Sequence, residues 1–238
     1  MFHVKICGVT SVADARVVVD AGADAIGLNF VPGSPRQLDP QAARAVRAAV
    51  PAGVVVVGVF AGTAVDDILR VVDVVGLDAV QLHGHLTVPR GDATGAVDPP
   101  ERCPGLAPLP VIRAVRLEAG AASGDPLAAA RAWIAAARGL GCPPAMAIID
   151  AAVSSGARAG CLGGTGDLVD WPALAGALSL DVPMALAGGL TPDNVAAAVA
   201  ATRVMAVDTA SGVEAAPGRK DREKVRAFVA AARRALGR

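Results

Sequence analysis

An excess of charge of either sign is missing from this chain. Its 22 basic and 22 acidic residues cancel, which leaves no electrostatic footprint for a nucleic acid or an anionic membrane surface and points to a small-molecule partner. Cysteine and histidine are scarce. The four cysteines, Cys7, Cys103, Cys142 and Cys161, form no CxxC pair, and three histidines offer too few nitrogen donors for a zinc site, so no structural metal is expected. No apolar run reaches the ~20 residues of a membrane span. The opening Met1-Phe2-His3-Val4-Lys5 lacks the basic, apolar and small-residue succession of a secretory leader. A cytoplasmic protein with reduced thiols is the expectation. Charged residues are few at 18%, against 53% hydrophobic; that balance excludes a disordered chain and suits a buried parallel sheet covered by helices.

At 238 residues the chain exceeds the usual domain size, but an α/β barrel reaches this length as one domain, and a single domain over residues 1–238 is expected. Short runs rich in Val, Ile, Leu and Phe recur along the chain, most of them followed by an alanine-rich stretch with helical spacing. Eight strands are predicted, over residues 3–7, 25–30, 54–60, 79–83, 110–116, 145–150, 183–187 and 203–208. Helix starts are marked by Ser11, by Asp39-Pro40, by Asp170 before Trp171 and by Thr191-Pro192, each supplying a capping oxygen or a proline to a first turn. A closing helix is predicted over residues 219–236, with basic residues near its carboxyl end. Eight βα units with right-handed crossovers close more naturally into a (β/α)8 TIM barrel than into an open doubly wound sheet, the alternative left by a sequence that does not record strand order. Two stretches break the rhythm. Residues 87–109, rich in Pro and Gly, predict a short, displaced or absent fourth helix, and residues 151–162 form a second long loop after the sixth strand.

The ends of the strands hold the candidate chemistry. Glycines gather after strands six, seven and eight, in Gly163-Gly164-Thr165-Gly166, Gly188-Gly189-Leu190 and Ser211-Gly212-Val213. One such cluster is ordinarily a turn. Three on adjacent loops make a nest in which main-chain NH groups hold phosphate, with Gly164, Gly166, Gly188, Gly189, Ser211 and Gly212 as the candidate binders. Cys7 closes the first strand before Gly8, which sets its sulfur at the open mouth of a barrel; a buried structural thiol is the plainer reading. Lys5 shares its face of the strand. Asp150 closes the sixth strand after Ala147-Ile148-Ile149, a costly place for a carboxylate unless it is paired or at work, though it also suits a turn cap. Arg36 follows the second strand, where a guanidinium can grip a carboxylate in two-pronged fashion or simply be solvated. Asp208 and His83 end the eighth and fourth strands, as substrate contacts or as satisfied structural groups.

In their order, these segments resemble the phosphoribosylanthranilate isomerase family, β/α-barrel enzymes of tryptophan biosynthesis. The resemblance runs through Lys5-Ile6-Cys7-Gly8, Gly27-Leu28-Asn29-Phe30 with Ser34-Pro35-Arg36, Gly58-Val59-Phe60, Gln81-Leu82-His83-Gly84, Asp150, Gly163 to Gly166 with Asp170-Trp171, Ala187-Gly188-Gly189-Leu190 with Asn194, and Asp208 through Ser211-Gly212-Val213-Glu214 to Lys220-Asp221. It implies an Amadori rearrangement of an aldose bearing an anthranilate amine, with Cys7 as general base and Asp150 as general acid. It implies also that Arg36 holds the anthranilate carboxylate, that the glycine loops hold phosphate, and that no metal or organic cofactor takes part. Monomer and homodimer are both compatible with it. Three positions depart from the family's pattern: Ala61-Gly62 stands where a larger residue and an asparagine are common, and His85 where an acidic residue often follows Gly84. Two alternatives stay open. One is the related isomerase of histidine biosynthesis, which works with aspartates at the first and fifth strands, where this chain has Cys7 and the segment Arg113 to Arg116. The other is a phosphate-ligand-binding barrel without catalysis.

Overall fold

The computed structural model describes residues 1–85, 97–117, 125–150, 171 and 179–238. Within them β1 (Val4–Cys7), β2 (Ala25–Asn29), β3 (Val55–Phe60), β4 (Ala79–Leu82), β5 (Val111–Arg116), β6 (Met146–Asp150), β7 (Met184–Ala187) and β8 (Ala206–Thr209) form a closed parallel barrel in chain order. The closure pairs Val4 with Val207, Lys5 with Asp208 and Ile6 with Thr209, which rules out the open sheet. Seven strands lie within a residue of their predicted bounds. β8 starts three residues late, because Arg203 turns into the left-handed region (φ 54°) to end the helix Val195–Thr202 and the chain needs Val204 and Met205 to regain the sheet.

Alternation along each strand divides the apolar side chains between two layers. Ile6, Ile26, Leu28, Val56, Val80, Leu82, Leu186 and Val207 face outward and pack with helix residues such as Val18, Val46, Ile68, Val199 and Phe228. The inward set is smaller in volume: Ala25, Ala79, Ala114, Ala185, Ala187 and Ala206 fill the barrel with Phe2, Val57, Ile112, Met146 and Ile148. A core of this kind leaves room near the carboxyl ends of the strands for long polar side chains, and Lys5, Gln81, Asp150 and Asp208 are buried there.

The caps mostly follow the sequence. Ser11 Oγ accepts from the Asp14 amide, and Asp39 Oδ1 accepts from the amides of Gln41 and Ala42 behind Pro40. Thr191-Pro192 opens a turn, and helical geometry begins only at Val195. The closing helix runs Arg222–Ala235 with Asp221 as its cap, not from residue 219, because Arg219–Lys220 is drawn into a short hairpin as β10 against β9 (Glu214–Ala216). The loop at residues 151–162 and Asp170 lie outside the described residues, while Trp171 is helical.

In the fourth unit, residues 97–109 hold a 3-10 turn, Pro100–Arg102, and a helix of four residues, Cys103–Leu106. Asp98 ties them to the barrel. Its buried carboxylate accepts from the Gly62 amide at 3.0 Å, the Gly84 amide at 2.7 Å and Arg102 Nη1 at 2.8 Å, while its carbonyl accepts from Trp133 Nε1. The departures Gly62 and His85 both meet this segment, His85 through its carbonyl, which accepts from the Asp98 amide. Arg113 completes the tie from the outer face of β5: it donates to the carbonyls of Leu82 and Gly84 at 2.6 Å each and lies over the Trp133 ring. Replacing Asp98 by alanine strands two amides and takes the carboxylate from Arg102, which keeps the carbonyls of Thr63 and Gly62, so Asp98→Ala is expected to lower stability by about 3 kcal/mol. Asp98→Asn, which keeps one acceptor, loses roughly half of that. Urea unfolding midpoints of the two variants measure both losses.

Candidate active site

β1 and β8 carry the deepest polar pair. Lys5 is fully buried and its Nζ donates to Asp208 Oδ2 at 2.9 Å. Burial works against the lysine's charge, but the Asp208 carboxylate, with the Cys7 sulfur behind it, outweighs that and holds Lys5 protonated beyond the ordinary lysine range. On Asp208 burial is the larger influence and pushes the carboxyl up, against Lys5 and with Asp150 adding to the push. Asp208 is the third residue of β8, one short of its end.

Cys7, two residues beyond Lys5, comes from the same face of β1. Room for its sulfur is made by the neighbouring strand: Gly27 is its register partner, and a Cβ there would lie 2.6 Å from Sγ. Cys7 packs against the apolar cluster of Val31, Val59 and Ala61. Ala61 thus belongs to the apolar cluster on which Cys7 rests.

Asp150 ends β6 facing inward, in register with Arg116 of β5. Its Oδ2 lies 4.0 Å from Arg116 Nη2 and 3.9 Å from His83 Nε2. His83 follows the last residue of β4, and its Nε2 is buried without a hydrogen-bond partner among the described residues. Burial lowers its pKa to about 4 against the pull of Asp150, with Arg116, Lys5 and Arg113 adding to the lowering. His83 is therefore neutral at pH 7.

Arg36 stands where the sequence puts it, after β2, but its fork is engaged within the protein. Nε donates to Glu214 Oε1 at 2.8 Å and Nη2 to Oε2 at 2.7 Å. The arginine stem crosses Gly8, where a Cβ would come 2.3 Å from Arg36 Cδ, and Gly8 has a positive φ of 69° besides. Glu214 also accepts from Lys220 Nζ at 2.8 Å, and that ammonium donates to the Ala210 carbonyl. Burial raises the cost of the glutamate's charge, but the hydrogen bonds from Arg36 and the Lys220 ammonium prevail and hold its carboxyl below the ordinary range. Lys220 is lowered by burial in spite of Glu214.

Of the glycine clusters, Gly164 and Gly166 lie outside the described residues. Gly188 and Gly189 both take positive φ, 91° and 63°, just after β7. Ser211 and Gly212 lie in a 3-10 turn after β8, and a Cβ on Gly212 would meet the Leu190 carbonyl oxygen at 1.8 Å. Thr209 Oγ1 donates to that same carbonyl, while Asn194 donates to the Gly189 carbonyl and accepts from the Thr191 amide. The loops after β7 and β8 are held against each other by these contacts. The sequence reading names Glu214 and Lys220 only among the residues of the family resemblance and Arg116 only within the fifth-strand segment, assigns none of them a role, and passes over Asp98. Their signal is charge beside a strand end or a glycine loop, which only their distant partners make distinctive.

Three comparisons bear on this arrangement. The family model described as N-(5'phosphoribosyl)anthranilate (PRA) isomerase matches residues 4–94 and 144–231. An N-(5'-phosphoribosyl)anthranilate isomerase of Myxococcus xanthus is 45% identical over 97% of this chain and 96% of its own length. The crystal structure of phosphoribosyl anthranilate isomerase from Thermotoga maritima superposes with a TM-score of 0.78 at 32% identity, covering 98% of this chain and 99% of that one. Another solved phosphoribosyl anthranilate isomerase, in complex with reduced 1-(o-carboxyphenylamino)-1-deoxyribulose 5-phosphate, gives a TM-score of 0.73 at 32% identity over 98% and 99% of the two chains.

The lowered His83 has a thermodynamic sign. Between about 4 and the ordinary 6.5 the unfolded chain binds a proton that the folded chain refuses, so this contribution to stability is complete above that window and is lost as pH falls through it. His83→Gln is expected to lose less stability than the parent between pH 7 and pH 5, as read from urea midpoints. A proton NMR titration is expected to find a histidine with a midpoint near 4; a His83 midpoint at 6 or above would mean that its ring is charged against Asp150.

Proposed function

The chain belongs to the phosphoribosylanthranilate isomerase family, and from that premise we propose that it is an isomerase of tryptophan biosynthesis in which Cys7 is the general base and Asp150 the general acid. The substrate on this reading is phosphoribosylanthranilate. What supports the division of roles is one observation: a thiol and a carboxyl occupy inward-facing ends of β1 and β6, and the buried Lys5–Asp208 pair lies between them, Lys5 influenced by Cys7 and Asp208 by Asp150.

Asp150 protonates the furanose ring oxygen, the C1–O bond breaks as the nitrogen lone pair forms a Schiff base, and the ring opens. The Cys7 thiolate then takes the proton from C2, the electrons of that C–H bond form the C1=C2 double bond, and the C=N π pair returns to nitrogen to give an enolamine. Tautomerisation to the ketone places a proton on C1 and releases one from the C2 hydroxyl, so that the thiolate and the carboxylic acid are both restored. An acid that starts protonated and a base that starts ionised need different surroundings. The ammonium of Lys5 stands beside the sulfur, and Asp150 has the His83 imidazole at 3.9 Å and the Arg116 guanidinium at 4.0 Å.

Arg36 holds the anthranilate carboxylate, Gly188, Gly189, Ser211 and Gly212 bind the phosphate with Gly164 and Gly166, and His83 and Asp208 face the sugar between them. The fifth strand argues against the histidine-pathway alternative, since it offers Arg116 toward the interior and Arg113 toward the helices in place of an aspartate. A direct assay with freshly generated phosphoribosylanthranilate, followed by the loss of its fluorescence, tests the activity. Cys7→Ser and Asp150→Asn are each expected to cut turnover by at least about a hundredfold, the range of lost acid or base catalysis. Near-normal turnover in either variant would sink its assigned role.

A further inference from the structure

His83 lies one residue beyond β4, where the register pairs of β4 with β5 have ended at Leu82 and Arg113. Side chains take over there from sheet pairing, and three consecutive peptide planes are pinned. The plane joining Leu82 to His83 is held by Arg113 Nη1, which donates to the Leu82 carbonyl at 2.6 Å, and by the His83 amide, which donates to the Phe60 carbonyl at 2.7 Å. The next plane is held by the Gly84 amide, donating to Asp98 Oδ2 at 2.7 Å, and the third by Arg113 Nη2, donating to the Gly84 carbonyl at 2.6 Å. We propose that Arg113, from the outer face of the barrel, is a positioning residue for His83: its planar fork fixes the backbone on both sides of the histidine and so sets where the imidazole stands in the site. This rests on the reading that His83 faces the ligand's sugar.

Arg113 can influence a ligand only through another group. It is fully buried between β5 and the helix Ala128–Gly139, with its guanidinium 5.3 Å from the Trp133 ring centroid. That is a costly place for a cation. Its Nε is buried without a hydrogen-bond partner among the described residues, and burial lowers its pKa to about 10 against the pull of Asp98 and the Cys103 sulfur, so the charge persists at pH 7. Apolar packing alone would be met by methionine or leucine, whereas two carbonyls on either side of one residue call for a rigid fork, which lysine, a single point donor, does not supply. The ring so placed has the Gln81 side-chain amide nitrogen 3.4 Å from Nδ1 and Asp150 Oδ2 3.9 Å from Nε2. Nε2 is buried with no hydrogen-bond partner among the described residues and is the ring atom left for a ligand oxygen. A displacement of about 1 Å at such a contact costs up to roughly a hundredfold in rate. The charged groups acting on the ring are Asp150 of β6, Arg116 of β5 and Lys5 of β1, with Arg113 behind the strand. Exchanging Arg113 for lysine keeps all four charges, so a change in the ring's titration then reports its place and not the field.

The test is the turnover of phosphoribosylanthranilate by the whole chain, beside a proton NMR titration of His83. Arg113→Lys is expected to lower kcat about tenfold or more while KM moves less than about threefold, since the groups for the two ends of the substrate are untouched. The His83 midpoint is expected to rise from about 4 to about 5 or above, because a released ring regains water while its charged neighbours stay. Arg102→Met is the control: it takes a cation from the same fourth unit, where Arg102 bonds Asp98 and the carbonyls of Thr63 and Gly62, without a contact to residues 82–84. It is expected to lower the urea midpoint, to leave kcat within about twofold and to leave the His83 titration in place. In a His83→Gln background Arg113→Lys is expected to add less than about threefold, because the group it positions is gone. Arg113→Gln carries the test, through kcat and the same double-variant comparison, where the lysine variant does not fold. Near-parental kcat in Arg113→Lys, an unmoved His83 midpoint, or an equal fall in kcat in Arg102→Met overturns the inference. If His83→Gln alone leaves kcat unchanged, the reading of His83 fails and the inference falls with it; if His83→Gln lowers kcat and Arg113→Lys then lowers it by its full factor, the inference alone is lost. If the parent chain does not turn over phosphoribosylanthranilate, the isomerase reading fails, and the titrations still decide whether Arg113 places the ring.

Discussion

Closing the barrel sets Lys5 against Asp208 across the seam between β1 and β8, 2.9 Å apart and 203 positions distant in the chain. A buried ion pair of this kind is at best near break-even against apolar residues of the same volume, but removing one partner alone costs about 3–5 kcal/mol, because a charge is left uncompensated. Its consequence is register. If β8 slipped by one residue, Asp208 would turn toward the helices and Lys5 would be left among the interior alanines. The seam therefore has one acceptable closure, and every other inward position at the mouth is counted from it.

Counting from Lys5 with the period of two brings Cys7 to the inward face at the end of β1, and Gly27 opposite it leaves the volume its sulfur needs. The pairing of β5 with β6 does the same for Arg116 and Asp150. Small interior side chains are the condition for all of this: alanines at six inward positions leave space above them into which lysine, arginine and aspartate side chains extend. The charges then act on one another through a poorly solvated interior. Lys5 stays protonated, His83 is neutral, and Asp208 is pushed up by burial and by Asp150.

The strands were legible because each is a local event, a run of four to six apolar or β-branched residues punctuated by a cap or a glycine. Cys7, Asp150, Asp208 and His83 were legible for a related reason: a polar residue closing an apolar strand is anomalous in the sequence itself. Arg36 was visible only by half. Its neighbours mark a loop, but its partner Glu214 is 178 positions away, and no local pattern announces a pairing at that range. Asp98 lay hidden inside a stretch of Pro and Gly that reads as loop, since its importance comes from two glycine amides, Gly62 and Gly84, belonging to other units. The late start of β8 and the loss of residues 219 and 220 from the last helix have the same origin, backbone conformation set by neighbours in space.

The two ends of the proposed ligand are held by different devices. On the phosphate side the loops after β7 and β8 are fastened by neutral hydrogen bonds and close backbone approach, through Asn194, Thr209 and Gly212. On the carboxylate side the fastening is ionic and reaches to the end of the chain, from Arg36 through Glu214 and Lys220 to the Asp221 cap of the closing helix. That helix is seated by Val225, Phe228, Val229 and Ala232, all buried in the outer core. Arg36 is thus anchored by apolar packing on the outside of the barrel, while Cys7 and Asp150 are fixed by the register of strands inside it. On the proposed reading, a substrate spanning both devices meets a fixed separation between the sites for its phosphate and its carboxylate, with its reacting carbons offered to Cys7 and Asp150.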